Sequence, residues 1–139
     1  DHLVDLESAC ANSNAEPDRM SGYLVNTRIR GKAKKVTKST YMPFIWQDGA
    51  TPLNGYRAAV TNNMPNNLTK GTSTTICSAA IFASDWSMGV LGLFGAPDIT
   101  VDPYTLAATG QVRITCNQFA DFAIRQPAAF AKQEDILTT

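Results

Sequence analysis

Apolar residues near the start of the chain recur at helical spacing. Leu3, Leu6 and Cys10 follow an i, i+3, i+7 pattern, with Ala9 and Ala11 beside them. That period places the three side chains on one face of a helix. The pattern therefore predicts an amphipathic helix over residues 2–13, ending at the polar segment NSNAEPD.

A short strand and a second helix are predicted next. The run GYLVNT, residues 22–27, is apolar enough for a strand, and Thr27 can cap a following helix that extends to about Lys35. The apolar stripe of this helix comprises Ile29, Ala33 and Val36.

The middle of the chain alternates short apolar pieces with segments that are dense in turn residues. FIW and YRAAVTN are predicted as β pieces, separated by QDGATPLNG. TTICSAAIF, residues 74–82, is apolar at both odd and even positions. This pattern predicts a strand that is covered on both faces.

The last third of the chain predicts one long strand. From residue 112 onward, apolar side chains occupy alternate positions and polar ones mostly lie between them. Such alternation predicts a single buried face. The apolar positions are Val112, Ile114, Cys116, Ala120, Phe122 and Ile124. Three glycines upstream, Gly89, Gly92 and Gly95, are interpreted as tight turns in a β segment.

The stretch DITVDPYTLAATGQVRITCN raises the question of an acid pair. On a strand, Asp98 and Asp102 would share a face but stand roughly 13 Å apart, beyond the spacing of a glycosidase pair. Pro103 belongs at a strand end because it cannot donate to a ladder, and Gly110 permits a backbone reversal. The two aspartates are therefore predicted to cap turns and strand ends.

Length and composition favour one soluble α+β domain. The chain has 139 residues and equal numbers of acidic and basic side chains, so its net charge is zero. That balance gives no global electrostatic reason to expect a nucleic-acid or membrane partner. Three widely separated cysteines, Cys10, Cys77 and Cys116, are predicted to be reduced core thiols in a cytosolic protein.

One segment concentrates positive charge. RIRGKAKKVTK holds six of the 12 basic residues of the chain. A solvated helix face, or contact with acidic residues of a neighbouring subunit, is the favoured interpretation, and contact with nucleic acid is the alternative. The segment lacks the aromatic residues that single-strand binders interleave with such charges.

No catalytic, cofactor or metal residues are predicted, and we expect a protein that is not an enzyme. The only histidine, His2, lies at the end of the chain, where it is poorly placed to activate a nucleophile. A small-ligand binding module stays open as an alternative, with Trp46, Tyr56 and Trp86 as candidate pocket residues. Core packing is the commoner role of such aromatic side chains.

Residues 76–132 resemble the C-terminal part of the major capsid proteins of tailed bacteriophages, the family with the Hong-Kong-97-type shell fold. Short motifs in the family's order carry the resemblance, and upstream GYLVNTRIRGKAKKV is similar to the family's strand and following helix. The later motifs are ASDW at 83–86, VLGL at 90–93, DPYT at 102–105 and PAAF at 127–130.

The resemblance implies an α+β fold made of an axial domain, residues 1–122, with a mixed central sheet flanked by helices. Residues 123–139 would be the returning strand of the peripheral domain. The N-terminal arm, the extended loop and the spine helix of the family would lie upstream of residue 1. The stretch around Asp98 and Asp102 would be the corner from which the long strand leaves the axial domain.

The resemblance also implies a structural subunit that assembles with itself into pentamers and hexamers of an icosahedral shell around DNA. It would be located in the virion after assembly in the bacterial host cytoplasm, with a scaffolding protein and packaged DNA as further partners and no membrane contact. An encapsulin-like compartment shell is the alternative within the same fold. No asparagine precedes the long strand at residues 106–108, so no isopeptide cross-link is predicted.

The same resemblance places a loop at the capsomer axis. This loop, residues 47–55, is rich in turn residues and in neutral polar groups that can face a rotated copy without like-charge repulsion. An exposed hairpin loop without a role in assembly is the alternative. The candidate contact residues are Gln47, Asp48, Thr51, Pro52 and Asn54.

Overall fold

The computed structural model of the chain describes residues 2–138. These residues form a mixed α+β structure that is mostly sheet. The helices are α1 (His2–Asn12) and α2 (Thr27–Ala33). The strands are β1 (Gly22–Val25), β2 (Arg57–Val60), β3 (Leu68–Lys70), β4 (Ser73–Ala83), β5 (Gly89–Asp102), β6 (Arg113–Ile124) and β7 (Phe130–Leu137).

The described residues divide into two compact units. The first, called the sheet unit, contains residues 2–88 and 126–138, and the second, called the hairpin, contains residues 89–125. These boundaries differ from the predicted division after residue 122. The difference arises because β7 pairs with β4 and therefore belongs to the same sheet as β1.

The sheet unit is built around a mixed five-stranded sheet. Strand β1 pairs in parallel with β2 and antiparallel with β4, and β4 also pairs antiparallel with β3 and β7. The predicted strand over residues 74–82 is confirmed as β4. Its second half is buried, as expected for a strand covered on both faces, and includes Cys77, Ala80 and Phe82.

Helix α1 supplies one wall of the core, as its apolar spacing predicts. Leu3, Leu6 and Cys10 are all buried and lie in one cluster with Phe82 and Tyr23. The rings of Tyr23 and Phe82 have centroids 4.8 Å apart. The helix ends at Asn12, one residue before the predicted end.

The second helix is shorter than predicted and has a different cap. The side-chain oxygen of Asn26 accepts a hydrogen bond from the Arg28 N–H at 2.9 Å, and Asn26 has extended backbone angles, as an N-cap residue requires. Thr27 is already helical, so the prediction that it caps the helix was wrong. Ile29 and Ala33 are buried, whereas Val36 lies beyond the helix and is exposed.

The predicted β pieces of the middle segment are only partly present. FIW forms no strand and contributes isolated bridges at Phe44 and Trp46. YRAAVTN contains the four-residue strand β2. The dense turn residues on both sides limit how far a ladder can extend.

The hairpin consists of β5 and β6 in antiparallel register, from Gly89 opposite Ile124 to Asp102 opposite Arg113. Gly89 and Gly92 lie within β5, so interpreting them as turns was wrong. Gly95 has a positive φ of 72° at a register shift between Phe94 and Asp98. Here glycine is used for a bulge, where a left-handed conformation is needed.

The predicted burial of the long strand is not observed in the described residues. Every residue of β6 is exposed, including Ile114 at 68% and Phe122 at 53%. Cys116 is likewise exposed, which corrects its assignment to the core, whereas Cys10 and Cys77 are buried. All three cysteines are free, as predicted. Alternation correctly identifies the apolar face of a strand but does not determine whether another element covers it.

No helix within residues 2–138 is long and apolar enough to cross a membrane.

Candidate assembly surfaces

The loop that is predicted to lie at the capsomer axis, residues 47–55, is called the axis loop. It is a closed turn that is anchored in the core of the sheet unit. The Gln47 N–H donates to the Pro52 carbonyl at 2.9 Å, and the Tyr56 N–H donates to the Leu53 carbonyl at 2.8 Å. Leu53 is fully buried and belongs to the core cluster. The loop is therefore held at its base by its own backbone bonds and by one apolar anchor.

The five predicted contact residues fall into two groups. Gln47, Asp48 and Thr51 are exposed and can face another molecule. Pro52 is buried and Asn54 is half-buried, so these two serve the loop's own structure. The predicted set therefore contains three surface residues and two supporting ones.

Asn54 joins the axis loop to helix α1. It has a positive φ of 49°, a conformation that asparagine tolerates better than most residues. Its Nδ2 donates to Glu7 Oε1 at 3.0 Å, and its Oδ1 accepts from Lys38 Nζ at 3.4 Å. Glu7 Oε1 also accepts from the Tyr23 hydroxyl, which lies 2.9 Å from the Leu3 carbonyl.

This polar network disfavours deprotonation of the phenol of Tyr23. Burial is the main cause that raises the pKa of Tyr23 well above its usual range, and the hydrogen bond and negative charge of Glu7 act in the same direction. The neutral phenol is the form that the folded state stabilises. The network therefore fixes the position of the axis loop relative to α1.

A second exposed surface lies just before the axis loop, and the sequence patterns did not single it out. Tyr41 is fully exposed and has a positive φ of 64°, while Met42 and Phe44 are each at least half exposed. Three large apolar side chains on one short segment form a patch of the kind that often marks a contact. The only signal in the sequence is the run YMPF within a segment rich in turn residues.

The hairpin presents one continuous apolar face. Directly opposite residues of an antiparallel pair point to the same side, so Leu91 with Phe122 and Val101 with Ile114 share that face. All four side chains are more than half exposed. The face also carries Leu93, Ile99, Cys116, Ala120 and Ile124.

The other face of the hairpin is mostly polar. It carries Asp121, Asp98 opposite Asn117, and Asp102 opposite Arg113, although Phe94 and Phe119 are also on this side. The register thus confirms that Asp98 and Asp102 share a face. Asp98 lies inside the ladder and does not cap a turn, which corrects that part of the prediction.

Asp102 is a structural cap, as predicted. Its Oδ1 accepts from the N–H groups of Tyr104 at 2.9 Å and Thr105 at 3.2 Å, and its Oδ2 accepts from the Thr105 hydroxyl. The hydroxyl of Thr105, followed by the two N–H groups, lowers the pKa of Asp102. Gly110 has a φ of 68° at the far side of this corner, which agrees with its predicted role.

The aromatic residues considered for a ligand pocket take part in separate contacts of the sheet unit. Tyr56 packs against Phe82, with ring centroids 5.3 Å apart. Trp86 packs against Phe130 at 5.6 Å, and its Nε1 donates to the Gly22 carbonyl at 3.1 Å. These contacts make Tyr56 and Trp86 packing residues. Among residues 2–138, no cluster of three His, Cys, Asp or Glu side chains is placed to hold a metal.

A comparison with known protein families identifies the family of the chain. The model of the phage capsid family matches residues 1–135. The chain belongs to the phage capsid family. The predicted resemblance to phage capsid proteins is therefore confirmed.

A curated relative supports this membership. The major capsid protein of Halomonas phage phiHAP-1 is 27% identical over 132 residues, which cover 94% of this chain and 19% of the relative. The chain thus spans about a fifth of that protein's length.

Solved capsid structures share the fold. The chain matches the capsid of a native GTA particle with a TM-score of 0.67 and 16% identity, and that of an empty GTA particle with 0.65 and 18%. A virus-like particle from Pyrococcus furiosus matches with a TM-score of 0.57 and 17% identity. Each match covers 96% of this chain, but only 43%, 43% and 49% of the respective solved chains.

Proposed function

We propose that this chain is part of a major capsid protein, a structural subunit of a phage head with the Hong-Kong-97-type fold. The observation that carries the proposal is the family match, which extends over residues 1–135. The likeness to three capsid or particle structures supports the same fold. A capsid protein works through repeated contacts between copies and needs no catalytic residues.

The two compact units suggest how the chain would be divided in such a subunit. The sheet unit, residues 2–88 and 126–138, would be the axial domain, and the hairpin would extend into the peripheral domain. The pairing of β7 with β4 supports moving the domain boundaries to these positions. In the full-length protein, other segments would cover the apolar face of the hairpin.

The axis loop would contact its copies around the five-fold and quasi-six-fold axes. Gln47 and Thr51 offer neutral exposed groups, and the loop is held rigidly at its base by Leu53 and Asn54. A rigid loop loses little conformational freedom when it docks, which favours a repeated contact. The exposed apolar segment around Tyr41 would add buried area beside it.

The remaining partners and the location follow from this role. The protein would be assembled in the host cytoplasm and located in the virion, with a scaffolding protein and packaged DNA as further partners. An encapsulin-like shell is not favoured, because the curated relative is a phage major capsid protein.

The test uses the full-length protein with Gln47→Glu and Thr51→Glu together. We expect a folded subunit by circular dichroism and a reduced yield of capsomers on size-exclusion chromatography, because a ring of like charges would form at the axis. Asn67→Glu with Thr72→Glu is the matched control, since both residues are exposed and polar and lie outside the loop. Equal capsomer yields from the two double variants would show that the loop does not take part in the interface between subunits.

A further inference from the structure

The sheet unit carries negative charge at one end. Glu16 and Asp18 lie in the segment before β1, and Asp85 follows the end of β4. These three acidic residues line one groove of about 240 Å³, whose lining contains no arginine, lysine or histidine. We call this groove the acidic groove. Asp85 also accepts hydrogen bonds from Ser87, whereas Glu16 and Asp18 are exposed residues at its edge.

Backbone hydrogen bonds hold the acidic groove in place. The Asp18 N–H donates to the Ser84 carbonyl at 3.2 Å, and the Asp18 carbonyl accepts from the Ser21 N–H at 2.9 Å. The carboxylates of Glu16 and Asp18 form no ion pair with a basic side chain within residues 2–138. Their negative charge is therefore available to another molecule, and it is carried by a segment that is tied to the sheet.

Positive charge is concentrated at the opposite end of the same unit. Residues 28–38, called the basic segment, hold six of the 12 basic residues of the chain. Ala129, just before β7, lines the acidic groove, whereas Thr138, just after β7, lines a second groove with Arg28 and Lys35. A strand of eight residues is roughly 25 Å long. The two charged surfaces therefore lie at opposite ends of the sheet unit.

Part of the basic segment is already engaged within the chain. Lys34 pairs with Asp48 at 3.5 Å, and Lys32 also has an interaction partner. Arg30 and Lys35 are exposed, and neither forms an ion pair with an acidic side chain within residues 2–138. These two cations match in number the two carboxylates that have no basic partner in the acidic groove.

We propose that the basic segment of one copy of the chain binds the acidic groove of the next copy. The contact joins two different surfaces, so it is heterologous and repeats from copy to copy around a ring. Because the surfaces lie at opposite ends of the sheet unit, each copy offers one of them to each of its two neighbours. This inference rests on the proposed function, since the ring it closes is the capsomer of the phage head.

A second copy accounts for both charged surfaces, whereas nucleic acid accounts for one. A nucleic-acid partner would use the basic segment and leave the acidic groove without a partner. The net charge of the chain is zero, as expected where two oppositely charged surfaces of one molecule match each other. Complementary charges at a contact also disfavour wrong pairings, because like charges would then be brought together.

The test reverses the charge of one surface at a time in the full-length protein. Glu16→Lys with Asp18→Lys, and separately Arg30→Glu with Lys35→Glu, should each lower the capsomer yield on size-exclusion chromatography on the order of tenfold, because like charges then meet at every contact. All four substitutions in one chain should restore most of the yield, since the two surfaces have then exchanged their charges.

Two further variants keep the test independent of folding. Lys70→Glu with Lys132→Glu is the matched control, because it makes the same change of charge at exposed positions of β3 and β7 and should leave the capsomer yield unchanged. If a reversed pair does not fold by circular dichroism, Glu16→Gln with Asp18→Asn removes the negative charge alone and should lower the yield severalfold.

Mixing the two reversed proteins gives the sharpest measurement. In a ring that alternates between them, every contact joins opposite charges, provided that the number of copies is even. A ring with an odd number of copies retains one contact between like charges. Native mass spectrometry of the mixture should therefore show hexamers restored and pentamers still depleted.

Three results would overturn the proposal. The first is no recovery of yield when all four substitutions are combined, and the second is equal recovery of pentamers and hexamers in the mixture. The third is a normal capsomer yield from Arg30→Glu with Lys35→Glu together with a loss of packaged DNA, which would assign the basic segment to nucleic acid. If the unsubstituted full-length protein forms no capsomers, it is the proposed function that fails, so the two failures are distinguishable.

Discussion

The sheet unit and the hairpin each contain a long strand with regularly placed apolar side chains, but those side chains differ in burial. In β4, where the pattern is apolar at odd and even positions, Phe82 and Ala80 are fully buried in the core cluster. In β6, Ile114 and Phe122 lie on the apolar side of a regular alternation and are more than half exposed. The difference shows that an apolar face becomes a core only where another element of the same chain packs on it.

This contrast has a consequence for stability. A two-stranded hairpin in water is marginal by itself, whereas a five-stranded sheet with a packed helix can be independently stable. An exposed apolar face of this length is typical of a surface that another molecule or segment covers. The sheet unit should therefore determine the folding free energy of this chain, and the hairpin should respond mainly to assembly.

The largest effect should come from emptying the core of the sheet unit. Phe82→Ala removes a ring that packs against both Tyr23 and Tyr56, so it should lower the free energy of unfolding by about 3–5 kcal/mol. The measurement is a shift in the denaturant midpoint. Phe122→Ala in the hairpin is the matched control and should cost about 1 kcal/mol or less. Similar losses of unfolding free energy at Phe82 and Phe122 would contradict the difference in burial between the sheet unit and the hairpin.

The cap of α2 should give the next largest effect. Asn26→Ala removes the acceptor for Arg28 N–H and a buried bond from Nδ2 to the Met64 carbonyl at 2.7 Å. We expect a loss of about 2 kcal/mol, since a cap and a buried partner disappear together. Thr27→Ala, at the position the sequence favoured as the cap, should cost clearly less in the same urea titration. The reverse order would restore Thr27 as the cap.

Tyr23→Phe should cost about 1 kcal/mol at neutral pH, because it removes the hydroxyl that Glu7 and the Leu3 carbonyl accept from. Since folding raises the pKa of Tyr23, its contribution is complete below the ordinary tyrosine value of about 10 and is lost as pH rises above it. Above pH ~10, the free energy of unfolding of the variant should therefore fall less steeply than that of the unsubstituted chain.

The exposed Tyr104 provides the control for loss of a tyrosine hydroxyl, and Tyr104→Phe should leave the neutral-pH stability unchanged. If the free energy of unfolding of Tyr23→Phe falls at alkaline pH as steeply as that of the unsubstituted chain, the network around Glu7 does not keep the phenol protonated.

The smallest effect on the chain itself should come from the apolar face of the hairpin. Ile114→Asp and Thr115→Asp should each change the free energy of unfolding by roughly 0.5 kcal/mol or less, because both positions are exposed. In the full-length protein, only Ile114→Asp should reduce particle yield, since it places a charge on the face that we propose other segments cover there. A large cost of Ile114→Asp in the chain alone would mean that this face is already buried.

Local patterns in the sequence determined the elements and their apolar faces. The spacing of Leu3, Leu6 and Cys10 specifies the buried side of α1, and the apolar residues at odd and even positions over residues 74–82 specify β4, whose second half is covered on both faces. The alternation predicted from residue 112 onward likewise gave the correct apolar side of β6, although the strand begins only at Arg113. Such features depend on neighbours a few positions apart, so they can be read without the fold.

Only the tertiary structure decided which of these faces is covered and which loop residues are available. Whether Ile114 is buried depends on elements distant in sequence, and periodicity contains no information about them. Pro52 and Asn54 look like surface turn residues, yet one is buried and the other bonds to Glu7, 47 positions earlier. Burial and partner choice are long-range properties, because they arise from packing between elements and not from the order of residues within one.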